Sequence, residues 1–219
     1  MCWNEHVSLN TFLFSSFVLL LIIYNNYYTK YKIKELHSPW IYLFFASFIF
    51  MQLIEFFIWR NINNKFYNNI FSLLGAGLIF IQPVISIMIL QNIRLRNVLL
   101  ASYISLATMW ALYEMSRKKV YTEISKKGHI KWTELHNTFI WFFFFAFSIV
   151  YSKNKALWAL LIFATITIII SALYYRNDKS SGSMWCWGVN SLMIYYAFYL
   201  LLYLPFLEKK KSLLPSYKY

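Results

Sequence analysis

Acidic residues are scarce in this 219-residue chain: Asp and Glu together number 8, against 21 Lys and Arg. The single aspartate, Asp178, lies outside every apolar run, which excludes an intramembrane aspartyl protease. Cysteine is scarcer still, with Cys2 and Cys186 alone. Two thiols close at most one bond, so no disulfide framework is possible. Glycine and proline number 5 and 4, too few for a disordered low-complexity chain. A glycine-rich phosphate loop is absent. No Asn-x-Ser/Thr sequence occurs, so N-glycosylation is not expected. Three of the four histidines fall outside the apolar runs and His136 stands only at the edge of one, which removes the metal ligands of a ceramidase-like membrane hydrolase, and the last run has no lysine for a retinal Schiff base.

What is present in abundance is apolar surface. The composition is 60% hydrophobic and 22% aromatic, with 13% charged residues, where a soluble domain carries roughly 25%. Apolar runs occupy about 8–24, 40–59, 69–90, 97–115, 134–151, 156–175 and 184–206. Each is near the ~20 residues that cross a bilayer as a helix. Helices are expected because backbone polar groups in lipid must be satisfied within the segment. The expected fold class is therefore all-α: a polytopic seven-transmembrane-helix bundle, with residues 1–219 forming one membrane domain.

The net charge of +13 raises a nucleic-acid reading. The basic residues sit in short loops between apolar runs, however, where Lys and Arg flank membrane spans and meet anionic headgroups. The expected partners are the lipid bilayer and, through loop lysines, anionic lipids, with no nucleic acid. The first run is not expected to be a cleaved signal peptide, since "MCWNEHVSLN" has no Lys or Arg and no small-residue cleavage site follows. The lysines of "NNYYTKYKIK" after it place the N-terminus outside the cytosol, and "EKKK" after the last run places the C-terminus inside. With seven spans, eleven basic residues fall on the cytosolic side and ten on the other. The dissenting loop is "SRKKVYTEISKKGHIKW".

A few polar groups interrupt the apolar runs. Gln52 and Glu55 stand three residues apart on one helix face, and an ionisable group inside a span is a functional candidate by default. Glu55 also lies close enough to Arg60 to pair with it. Gln82 and Pro83 sit near the middle of the third run, where proline frees an upstream carbonyl; the pair either lines a cavity or marks a benign kink. Glu114 ends the fourth run beside Arg117 and Lys118. Asn190 and Ser191 are typical interhelical hydrogen-bonding groups. His129, Glu134 and His136 lack metal-site spacing and a third ligand, so a solvated loop is expected, with no metal and no cofactor.

With the N-terminus outside, Glu55, Glu114, Trp185, Cys186 and Asn190 all fall toward the same, non-cytosolic, face. The candidate pocket is thus Gln52, Glu55, Gln82, Glu114, Trp185 and Asn190, with the Trp-Cys-Trp stretch capping it; an ordinary aromatic belt is the alternative for the tryptophans. Cys2 and Cys186 share that face and each adjoins tryptophan. A Cys2–Cys186 bond that folds the N-terminal segment over the last span is one reading. Two free thiols, or a lipid on a cytosolic Cys2, are the others.

Four stretches, "MCWNEHVSLNTFLFS", "QLIEFFIWRN", "IQPVIS" and "GSMWCWGVN", resemble a family of multi-pass membrane proteins encoded by large DNA viruses of protists, mimivirus-like and phycodnavirus-like. The resemblance implies a viral origin and a virion or host-endomembrane home, without a mechanism. The positions it covers include Cys2, Trp3, Glu55, Gln82, Pro83, Trp185, Cys186 and Asn190. Two functions follow from the residues: a binding or transport bundle with a polar pocket, or a structural membrane protein whose polar residues only pack helices. An enzyme is the weakest reading.

Overall fold

The structure, a computed structural model, describes residues 4–117, 120–132, 138–152 and 154–207 and, for residues 114, 115, 117, 138 and 139, the backbone only. The helices are α1 (Glu5–Tyr28), α2 (Pro39–Arg60), α3 (Lys65–Met88), α4 (Ile93–Arg117), α5 (Thr138–Tyr151), α6 (Lys155–Tyr175), α7 (Ser181–Asn190) and α8 (Leu192–Phe198). A two-stranded antiparallel hairpin, β1 (Thr122–Ile124) and β2 (Ile130–Trp132), separates α4 from α5. The all-α polytopic bundle is as the apolar runs require.

Six helical segments among the described residues are long and apolar enough to cross a bilayer: α1 to α4, α6, and the run Ser181–Leu207 that joins α7, α8 and a π turn at Tyr199–Tyr203. The expectation is of seven such segments; of the fifth run, at 134–151, the described part is α5, which spans 14 residues, and the first four residues of that run lie outside the described residues.

Asparagine fixes where several helices start. Asn4, Asn64, Asn92 and Asn154 each accept hydrogen bonds from backbone N–H groups in the first turn of α1, α3, α4 and α6, the donors that a helix cannot satisfy internally. The last run is interrupted at Ser191, whose hydroxyl donates to the Gly188 carbonyl at 2.6 Å. The Asn190 amide turns back on the Cys186 carbonyl at 2.9 Å. Such local bonds compete with the helical ladder.

The core gathers around α2, which packs on α1, α3 and α7. Its centre is aromatic. Phe44 and Trp141 both stack on Phe145, with centroids at 5.3 and 4.9 Å, and Trp185 meets Trp141 and Phe48 edge to face at 5.5 and 6.1 Å. Offset and edge-to-face pairs are the arrangements favoured by ring quadrupoles. The outer faces stay apolar, with Leu20, Ile104, Met109, Leu112, Ile166 and Leu173 exposed. An apolar exterior of this extent suits lipid, not water.

The ends of the bundle are distinct. At one end the Glu5 carboxylate faces Arg60 Nε at 3.8 Å, and the hairpin joins the start of α3 to the turn between α6 and α7. At the other end the Asn154 amide donates to the Glu35 carbonyl at 2.7 Å, tying the connection after α5 to that between α1 and α2.

Candidate functional site

Proline in a helix leaves the carbonyl four residues upstream without its donor. For Pro83 that carbonyl belongs to Ile79, and the Trp141 indole N–H from α5 donates to it at 2.8 Å. One helix thus repairs the defect of its neighbour. Two further bonds hold the same region: the Ser86 hydroxyl donates to the Phe145 carbonyl at 3.0 Å, and the Tyr103 hydroxyl of α4 to the Phe80 carbonyl at 2.9 Å. Between α3, α4 and α5, and extending to α6 and α7, the helices leave a cavity of about 780 Å³. That volume lies within the ~300–1,000 Å³ of small-molecule sites.

Its walls are mostly aromatic and aliphatic, including Phe80, Tyr103, Trp110, Trp132, Trp141 and Phe142. The polar exceptions are few. Glu55 of α2, 0% exposed, and Gln82 of α3, 1% exposed, reach it from inside the bundle. Arg176 and Lys179 border it at the hairpin end. The Glu55 carboxylate accepts from the Gln52 amide at 2.9 Å, whereas Arg60 is turned to Glu5 and to the Phe56 ring. Burying a polar group without a partner costs free energy. Yet the Gln82 amide nitrogen and the Trp110 indole nitrogen have no hydrogen-bond partner among the described residues, although both line the cavity.

The structure does not bring all six candidate residues to one surface. Glu55, Gln82 and Trp185 line the cavity, and Cys186 joins them. Gln52 stands behind Glu55, fully buried. Asn190 belongs to the packing instead: its amide donates to the Phe48 carbonyl at 3.2 Å and joins α7 to α2. The side chain of Glu114 lies outside the described residues. So do Cys2 and Trp3, and with them one end of the Cys2–Cys186 reading; Cys186 itself is buried as a free thiol. Trp185 is neither a cap nor an interfacial anchor, because its ring is buried in the aromatic core and its indole N–H donates to the Ala164 carbonyl of α6 at 2.9 Å.

The hairpin roofs the cavity, a role that basic loop composition conceals. On one side Asn68 clamps Thr122: its carbonyl oxygen accepts from the Thr122 N–H at 3.0 Å, and its amide donates to the Thr122 carbonyl at 3.0 Å. On the other side Asp178 accepts from the Ser125 hydroxyl at 2.5 Å, the Lys127 N–H at 3.2 Å and the Ser180 hydroxyl at 2.9 Å. Burial pushes the Asp178 carboxyl up, but these bonds and nearby His129 outweigh it and hold the carboxyl below its ordinary value. Burial lowers His129, with Asp178 opposing and Lys127 assisting. Trp132 closes the roof against α3 at Gly75, where an added Cβ would run into the indole tip.

His129 therefore stands in the docked hairpin, its ring edge to face with Tyr175 at 5.4 Å, while Glu134 and His136 lie outside the described residues. Among the described residues no three His, Cys, Asp or Glu side chains converge as metal ligands. The groups that sequence reasoning passed over are Asn68, Trp132 and Asp178. Only the glycine of "SKKGH" between the alternating "TEI" and "IKW" signals a hairpin there. Comparisons with protein-family models, with curated proteins and with solved structures found no match.

Proposed function

We propose that the chain is a binding or transport bundle of seven membrane crossings that holds a small amphipathic molecule in the cavity beside Glu55 and Gln82. The single observation that carries this reading is the cavity itself. Its volume of about 780 Å³ is the size of a small-molecule site, and a buried Gln82 amide without a partner among the described residues opens on it. The apolar walls with a few polar groups are the usual make-up of a ligand site.

Support for a seventh crossing comes from α5, which follows the hairpin at one end of the bundle and leads to Asn154 at the other. Its 14 residues rise ~21 Å, so the crossing would need the bilayer to thin locally or the preceding residues to contribute. The lysines after α1 support a hairpin end that faces away from the cytosol, with the N-terminus outside and the C-terminus inside. The resemblance of four stretches supports a viral origin and a virion or host-endomembrane home.

A structural role is the second reading. What favours it is that Gln52 and Asn190, two of the polar residues within spans, are spent on bonds between and within helices. Filling the cavity separates the two. Ala107 of α4 lines it and is nearly buried. Native mass spectrometry of the protein released from lipid nanodiscs should find a retained small molecule in the wild type and none in Ala107→Trp. Equal spectra, with no bound mass in either, would favour the structural reading.

A further inference from the structure

The cavity is polar at two levels and apolar between them. Phe57 of α2 stacks on Phe71 of α3 at 5.1 Å, which sets these antiparallel helices level there. Glu55 lies two residues from Phe57 toward the centre of the bundle, and Gln82 eleven from Phe71 in the same direction, so the two stand ~13 Å apart in helix rise. The upper level, nearer the hairpin, offers acceptors. The Glu55 carboxyl has about four lone-pair positions, more than the bond from Gln52 uses. Ser183, in the first turn of α7 and 1% exposed, adds a hydroxyl that can both donate and accept. The lower level offers unspent donors. The Gln82 amide nitrogen has no partner among the described residues, nor has the Trp110 indole nitrogen, whose ring lies 5.1 Å from that of Phe80. Charge selects against both signs at the hairpin end, where Glu55 opposes an anion and Arg176 a cation.

Resting on the reading of the cavity as a ligand site, we propose that its ligand is a neutral molecule with oxygen at both ends: a hydroxyl that meets Glu55 and Ser183, an apolar body along the rings, and an acceptor oxygen ~13 Å away at the Gln82 amide. A hydroxyl suits the upper level because it donates to a carboxyl and exchanges bonds with a serine in either direction. The body lies against Trp141, Trp185 and Phe142. A molecule with one polar end serves one level and leaves the buried Gln82 amide unpaired, which costs free energy. Long-chain diols, and ring lipids with a hydroxyl at one end and a hydroxyl or ketone at the other, belong to this class.

Competition binding reads both ends. Tritiated decane-α,ω-diol is titrated onto the full-length protein in nanodiscs of zwitterionic lipid, with empty nanodiscs as the blank. Unlabelled diol, decanol, decanoate and decyltrimethylammonium compete with it, each compared as its mole fraction in the membrane. The diol should bind saturably. Decanol should need about fivefold more to displace it, the worth of one hydrogen bond, and the two ions should need more than decanol. Gln82→Leu replaces an unpaired amide with an apolar side chain of similar size, a change the fold tolerates. It should bring the diol down to the level of decanol and leave decanol unchanged. Ala107→Trp should abolish the saturable binding of both. Equal binding of diol and decanol, tighter binding of either ion, or a preference for the diol that survives Gln82→Leu would overturn the inference and leave the cavity as a ligand site. Absence of saturable binding, or binding that persists unchanged in Ala107→Trp, would overturn the inference and count against the cavity as well.

Discussion

Helices α2 and α4, of 22 and 25 residues, stand in opposite surroundings. The most apolar stretch of α2, with a mean hydropathy of 2.1, is 61% buried inside the protein; that of α4, at 1.2, is 11% buried. The buried ionisable side chain, Glu55, is on the buried helix. Hydropathy does not distinguish the two environments, because lipid tails are as apolar as leucine and give no hydrophobic force between helices. Polar groups and close packing do. Helix α2 carries Ser47, Gln52 and Glu55 at its inner face, whereas α4 touches α3 and α5 alone among its stronger neighbours, with Tyr103 bonding it to α3. The cavity therefore has one wall fixed on several sides and one that rests lightly, and α4 is the wall expected to move when a ligand enters.

The largest effect should come from the fixed side. Phe44→Ala removes a fully buried ring from the aromatic core and should cost about 3–5 kcal/mol. Leu112→Ala on α4, where the side chain is exposed, should stay within ~0.5 kcal/mol. Thermal unfolding in one detergent compares them, and similar losses would erase the distinction. Next comes the roof: Gly75→Ala drives a methyl into Trp132 and should cost about 1–3 kcal/mol, together with faster amide exchange across Thr122–Trp132. An unchanged hairpin would mean that Trp132 does not rest there.

A smaller effect tests the repair between α3 and α5. Trp141→Phe orphans the Ile79 carbonyl and should cost about 1–2 kcal/mol. In a Pro83→Ala background the residue at 83 regains its N–H and can satisfy Ile79 itself, so the same substitution should cost markedly less. Equal costs in both backgrounds would show that the indole bond is not energetically coupled to the proline.

The smallest effect is acid sensitivity of the roof. Asp178 has a lowered pKa in the folded chain, so its contribution is full above the unfolded value of about 4 and is lost as the pH falls through the folded one. His129 is lowered too, which favours its neutral form when docked. That contribution is present above the unfolded value of about 6.5 and declines below it. The hairpin's protection, its exchange rate relative to the intrinsic amide rate at each pH, should therefore fall in two stages on acidification, and Asp178→Asn should remove the lower one. A pH-independent protection would contradict the docking.

Much of the architecture was legible because membrane helices are written in long apolar runs. The runs fell within a few residues of α1 to α4, α6 and Ser181–Leu207, and the early starts of α1, α3 and α4 follow from asparagine caps that begin the helix before the apolar stretch. The site was legible only in part. Gln82 and Pro83 stand out as a polar, kinked midpoint, but nothing local assigns the freed carbonyl to Trp141, which is 62 residues away from Ile79. Trp185 read as a cap over a pocket, or as an interfacial anchor, because hydropathy gives depth along a helix and not which face looks inward; it lines the cavity from the buried side. The hairpin was masked by its lysines, since the two groups that dock it, Asn68 and Asp178, are distant in sequence and are each an ordinary loop or helix-start residue when read alone.

The central claim is that the space between the fixed and the loose wall is a ligand site and not slack packing. A side-chain-resolution density map of the full-length protein in lipid nanodiscs tests it most directly. The account predicts non-protein density in the cavity, with an atom within hydrogen-bonding distance of the Gln82 amide nitrogen. A map in which α4 has closed onto α3 and α5, with no density between them and the Gln82 amide bonded to protein, would contradict it.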